Sequence, residues 1–261
     1  MFTPPTVLAF DFDGVICDGL IEYFQTAWRA YSQLFPDPPS APPPGLAEQF
    51  YPLRPVVETG WEMPILLRAL LHGVDKSDIL ADWPAIAPQI LTQTNLTSAQ
   101  AAAAVDSVRD TWIKTDLDNW LAQHRFYPGV LERLQAIQSS DCYLVIISTK
   151  EGRFIRQLLA QQGLDLAPEQ IIGKEIKQPK YQTLRQMRQA KRGDVAVVWF
   201  VEDRLKALQA VTEQADLADI QLFLADWGYN LERDRGLAQD DSRLHLLSLA
   251  QLIQDFSAWV G

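Results

Sequence analysis

An apolar run that ends in two carboxylates constrains this chain more than any other feature. Val7-Leu8-Ala9-Phe10 leads into Asp11-Phe12-Asp13-Gly14, and Val15-Ile16 resume the apolar character. A run of this length bounded by turn residues predicts a buried strand. Strand side chains alternate faces, so Asp11 and Asp13 would point the same way if the strand continued through them. Two anions at one strand end are costly unless a cation sits between them or one holds a proton. That arrangement suits metal-assisted phosphoryl transfer. A solvated Asp-x-Asp-Gly turn is the bland alternative.

Further apolar runs recur at 143–147, 195–201 and 220–224, each followed by a polar residue. Helical patterns lie between them: 130–137 after Pro128-Gly129, 154–161 before Gly163, 181–190 ending near Gly193, and 205–214. Strands alternating with helices of this size predict an α/β fold of βαβ units, with a parallel sheet and helices on both faces. Ligands of such sheets sit outside the carboxyl ends of the strands, where these acids and hydroxyls fall.

The alternation fails between about Ile16 and about Phe126, which contain no clear strand. Helical patches at 20–34, 61–71, 81–90 and 99–121 accompany a proline-dense stretch at 35–45. This predicts a helical insertion, residues 17–126, within a core made of residues 1–16 and 127–261. The proline tract reads as a stiff loop between helices or as a polyproline ligand for an aromatic groove.

Composition narrows the partners. The chain has 261 residues, 48% hydrophobic and 21% charged, as in ordinary globular proteins. A formal charge of −10 argues against nucleic acid and anionic membrane surfaces, while a local cation can still hold a small anionic substrate. No stretch is long enough to span a bilayer, and the N-terminus lacks the basic start of a signal peptide. Cys17 and Cys142 are the only cysteines and form no spacing motif, which points to a reduced, cytoplasmic setting. No protein partner is evident.

The other strand ends carry the chemistry. The run 143–147 closes in Ser148-Thr149-Lys150; a hydroxyl there can donate to a phosphoryl oxygen, and the helix starting near Gly152 would add its positive end. It can equally cap the next helix. Lys177 and Lys180 flank a helix entry, where an ammonium can neutralise phosphate charge or simply be solvated. The third run closes in Glu202-Asp203, oxygen ligands suited to Mg²⁺ or a surface pair at a helix start. His72, His124 and His245 are scattered without ligand spacing, and Cys17 has no base to activate it.

Together these pieces resemble the haloacid dehalogenase-like superfamily. Asp11-Phe12-Asp13-Gly14-Val15 is similar to its first motif, Ser148 to its second, Lys180 to its third and Glu202-Asp203 to its fourth. Tyr127-Pro128-Gly129-Val130 and Trp227-Gly228-Tyr229 resemble segments that flank the core strands. The resemblance implies a Rossmann-like core with a helical cap domain inserted after the first motif. The insertion is longer than usual for this class, and its proline tract matches nothing in the pattern.

The resemblance also implies a phosphatase acting on a small phosphorylated metabolite. Asp11 would be the nucleophile and Asp13 the general acid and base. Ser148 would orient the phosphoryl group and Lys180 stabilise its charge. Mg²⁺ would be held by Asp11, the Asp13 carbonyl and Asp203, with Glu202 as the second candidate from the fourth motif. An acid two residues after the nucleophile favours ester hydrolysis over dehalogenation. Lys177 stands as the alternative to Lys180, and Thr149 to Ser148. A phosphomutase of the same architecture and a non-catalytic phosphate-binding protein are the competing readings.

Overall fold

Strand Val7–Phe10 (β1) forms where the apolar run predicts it, and all four residues are buried. The structure, a computed structural model, describes residues 3–36, 39–190 and 196–260. The further strands are Cys17–Asp18 (β2), Arg125–Phe126 (β3), Tyr143–Ile147 (β4), Ile171–Ile172 (β5), Val198–Glu202 (β6), Gln221–Ala225 (β7) and Leu244–Leu247 (β8). Six of them form one sheet in the order β5-β4-β1-β6-β7-β8. Every pairing in it is parallel. The α/β expectation therefore holds, with β1 central.

Register places the strand ends together. Phe10 lies opposite Ile146 on one side and Val201 on the other. One residue further, Asp11 donates its N–H to the Val201 carbonyl at 2.9 Å. Asp11, Ser148 and Glu202 thus share the carboxyl edge of adjacent strands.

The sheet is covered on both faces, as alternation requires. Val7, Ala9, Val145, Val198 and Phe200 pack with Leu184, Leu205 and Leu208 from helices Lys180–Ala190 and Leu205–Thr212. On the other face, Phe10 meets Trp259 edge-on, and Trp199, Phe223 and Trp259 form a tilted cluster. Buried aromatics of this size are a large share of such a core's apolar area.

Two expected runs shift slightly. The third strand begins at Val198; Val195, like Gly193, lies outside the described residues. The fourth begins at Gln221 because the Ile220 N–H is spent on a turn with the Leu217 carbonyl.

The chain divides into two compact units, residues 19–124 and the remainder. β2 and β3 pair antiparallel, Cys17 with Phe126 and Asp18 with Arg125, so the chain leaves and re-enters the α/β unit along one ribbon. Within the helical unit, helix Leu20–Leu34 packs against Glu62–Leu71 and Ser98–Thr115. Thr97 and Gln100 close a capping box at the start of the latter. The pattern over 99–121 resolves into two helices because Asp116, at φ −156°, ψ 71°, breaks the first and caps the second. Residues 81–90 fall inside Lys76–Gln93, which is kinked at Asp82. Of the proline tract, Asp37 and Pro38 lie outside the described residues.

At the centre of the helical unit lies Glu22, 1% exposed. Its carboxylate accepts from Thr26 Oγ1 at 2.7 Å, Arg109 Nε at 2.8 Å, Arg109 Nη2 at 3.1 Å and Trp120 Nε1 at 3.0 Å. Each oxygen has at least one donor, so burial of this charge is compensated.

Candidate active site

Both aspartates of the opening motif lie just beyond β1, but they take separate partners. The strand ends at Phe10, so the shared direction expected from strict alternation does not apply. Asp11, buried, places Oδ1 3.0 Å from Lys180 Nζ. Asp13 sets its two oxygens 3.2 and 3.3 Å from Lys150 Nζ. Each acid of the pair thus meets its own ammonium.

Glu202 and Asp203 differ as sharply. Glu202 Oε2 receives Lys180 Nζ at 2.6 Å, while Oε1 accepts the N–H groups of Asp203 and Arg204 at 3.1 and 3.0 Å. Both its oxygens are committed. Asp203 Oδ2 accepts the Tyr229 N–H at 2.7 Å, whereas Oδ1 is buried without a hydrogen-bond partner. Gly14, at φ +85°, is pressed against this carboxylate, and a Cβ there would overlap Asp203 Oδ2 and the Tyr229 ring. Only glycine fits that turn.

Asp11, Glu202 and Asp203 bring ligand atoms within 4.8 Å of one another. Buried Lys180 pairs with Asp11 and Glu202, and the Arg204 charge acts on Asp203. Burial, reinforced by Glu202, pushes the Asp11 carboxyl up to about 7 against the pull of Lys180. Burial, with Glu202 and Asp11 nearby, also raises Asp203 well above the ordinary carboxylate range. Burial works against the Lys180 charge too, but Asp11 and Glu202 outweigh it and hold the ammonium protonated. These cations leave Asp11 and Asp203 under-compensated. A divalent ion with oxygen preference fits the orphaned Asp203 Oδ1 and the under-compensated Asp11.

Ser148 stands one residue past β4 and is buried, with its N–H on the Ile172 carbonyl at 2.9 Å. Its Oγ accepts the Lys150 N–H at 3.2 Å, which leaves the hydroxyl proton free to donate. Thr149 beside it is exposed. Ser148, Thr149, Gly173, Lys177 and Lys180 line a slot of about 220 Å³. Lys177 is exposed at φ 52°, on the rim, while Lys180 reaches the acids. Gly152 does not offer its N–H to this slot; the Glu175 carboxylate takes it at 3.2 Å. The expected contribution of that helix start to anion binding is therefore pre-empted by a side chain.

The remaining candidates fall elsewhere. His124 is buried against the Trp120 ring in the helical unit, and His245 bonds Gln221. Cys17 is buried, and burial with the Asp13 charge holds its thiol well above the usual range, so it is not a nucleophile at neutral pH.

A family model for haloacid dehalogenase-like hydrolases matches residues 5–212. The chain belongs to that hydrolase family. No curated protein matches it. Among solved structures, a predicted phosphoglycolate phosphatase from Haemophilus somnus is 16% identical, covering 89% of this chain and 90% of that one, with a TM-score of 0.56. A predicted phosphatase from Clostridium acetobutylicum is 15% identical over 96% and 97%, with a TM-score of 0.57. Protein Tyrosine Kinase A of Mycobacterium tuberculosis is 16% identical over 87% of each chain, with a TM-score of 0.51. At these identities the likeness establishes a common fold. Among the described residues, no helix is long and apolar enough to cross a membrane.

Sequence reasoning passed over Lys150, Glu175 and Tyr229 as parts of the site. Each acts across a long sequence separation, and the Trp227-Gly228-Tyr229 segment gives no sign of the Tyr229 N–H bond to Asp203. Lys150 had one local signal, its place two residues after Ser148 at a buried strand's end.

Proposed function

We propose that this hydrolase is a Mg²⁺-dependent phosphatase that cleaves a small phosphorylated metabolite through an aspartyl-phosphate on Asp11. The observation that carries the reading is the buried trio of Asp11, Glu202 and Asp203, with Lys180 on the first two and Asp203 Oδ1 left unpartnered. The two predicted phosphatases among the structures of the same fold support a phosphate monoester as substrate.

Asp11, Asp203 and the Asp13 carbonyl would hold the metal, which supplies positive charge to the phosphoryl oxygens. Asp11 attacks phosphorus, turning one difficult step into two. Asp13 protonates the departing oxygen and then takes a proton from the water that frees Asp11. Ser148 donates its hydroxyl proton to a phosphoryl oxygen. Lys180 balances charge on the attacked group, and Glu202 fixes Lys180. The helical insertion, residues 17–126, takes the role of the cap that selects the substrate. The two buried cysteines, both free, suit a cytoplasmic setting.

A screen of phosphorylated metabolites with Mg²⁺ tests the reading. One or more esters should release phosphate, chelation should stop turnover, and added Mg²⁺ should restore it. Full activity in chelator, or no turnover of any ester, contradicts it.

A further inference from the structure

The α/β unit assigns a different lysine to each half of the opening aspartate pair. Lys180 serves Asp11 and Glu202. Lys150 serves Asp13, with its Nζ nearly equidistant from the two oxygens at 3.2 and 3.3 Å. We propose that Lys150 is a positioning residue: it holds the Asp13 carboxyl in the orientation from which a proton passes to the departing oxygen. This rests on the phosphatase reading above and adds to it a residue that reading does not use.

The backbone around Lys150 is fixed at both ends. Its N–H donates to Ser148 Oγ at 3.2 Å, and its carbonyl accepts the Lys174 N–H at 3.0 Å. Gly173 packs so closely on the Lys150 carbonyl that a Cβ there would collide with it. The side chain is 10% exposed, so its stem runs through packed structure to the acid. Asp13 itself sits past the strand, in the turn before Gly14, and is 19% exposed. A carboxyl in a turn rotates freely unless something holds it. The hydroxyl that orients the phosphoryl group and the ammonium that orients the acid are thus joined by the same Lys150 N–H, which couples the two placements.

In the first half-reaction an Asp11 oxygen forms a bond to phosphorus as the ester P–O bond breaks. The bonding pair leaves with the departing oxygen, which takes the Asp13 proton. In the second, Asp13 takes a proton from water as the water oxygen bonds phosphorus, and the Asp11–P bond breaks with its pair returning to Asp11. Lys150 gains and loses nothing; it keeps one geometry through both steps. Such placement matters most when the leaving group is a poor one that needs its proton.

The test compares phenyl phosphate, whose phenol leaves poorly, with p-nitrophenyl phosphate, whose phenolate leaves readily, in the full chain with Mg²⁺. Lys150→Met should lower kcat on phenyl phosphate about tenfold or more beyond its effect on p-nitrophenyl phosphate. Lys150→Arg should recover most of that difference, because it restores a cation at the same place. Circular dichroism reports folding, and if Lys150→Met does not fold, Lys150→Gln takes its place in the comparison. Equal losses on both esters, or no loss on either, overturn the positioning role while leaving the phosphatase reading intact. Absence of turnover by the wild-type protein on both esters overturns the phosphatase reading and this proposal with it.

Discussion

The helical unit and the α/β unit both bury carboxylates, and they treat them in opposite ways. Glu22 is surrounded by donors from Thr26, Arg109 and Trp120, and its charge is met within the unit. At the carboxyl edge of the sheet, Asp11 and Glu202 share Lys180, and Asp203 beside them leaves Oδ1 without a partner. A satisfied buried charge pins a fold; an unsatisfied one costs stability and is retained where something is to be bound. The contrast separates a satisfied buried acid from an unsatisfied cluster without reference to any relative.

Mutation should expose that contrast first. Glu22→Ala removes the buried acceptor shared by Thr26, Arg109 and Trp120 and should cost about 3 kcal/mol, read as a drop in the thermal midpoint. Asp203→Asn in metal-free protein should cost little or raise the midpoint, because it removes an under-compensated anion. Mg²⁺ should stabilise the wild type and not this variant. A large loss from Asp203→Asn, or none from Glu22→Ala, would break the comparison.

A smaller effect lies in pH. The folded Asp11 carboxyl titrates at about 7, well above an ordinary aspartate. The folded state therefore holds this proton more tightly than the unfolded chain, and stability falls as pH rises from about 4 to about 7. Asp203 shifts in the same direction. In chelator, the thermal midpoint of the wild type should decline across that window more steeply than that of Asp203→Asn. Saturating Mg²⁺ should flatten the decline, since it favours both carboxylates in their ionised form. A midpoint that rises with pH in chelator contradicts the cluster's charge deficit.

Much of the architecture was legible because burial writes itself into composition. β1 and β4 are uninterrupted apolar runs, and both form with the expected bounds. Helix Leu20–Leu34 likewise follows its pattern. β5 has two residues, and β8 carries His245 inside Leu244–Leu247, so neither gave a run long enough to stand out. The breaks at Asp82 and Asp116 are backbone excursions that hydrophobic periodicity does not register. At the candidate site, Asp11, Asp13, Ser148, Lys180, Glu202 and Asp203 were visible because each closes a strand or opens a helix. The pairings were not. Lys150 meets Asp13 across 137 positions of sequence, and Glu175 reaches Gly152 from the 3₁₀ turn Lys174–Ile176. Glu202 and Asp203 differ in the oxygens already used, by Lys180 and two backbone N–H groups on the first and by the Tyr229 N–H on the second. Chain order carries no record of hydrogen-bond satisfaction.

Phosphate release from p-nitrophenyl phosphate by the wild type and Asp11→Asn, both folded and both in Mg²⁺, puts the reaction centre most directly at risk. Asp11→Asn keeps the size of the side chain and replaces the nucleophilic carboxylate by a neutral amide, so turnover should fall by about a thousandfold or more. Turnover equal to that of the wild type would show that the chemistry does not run through Asp11.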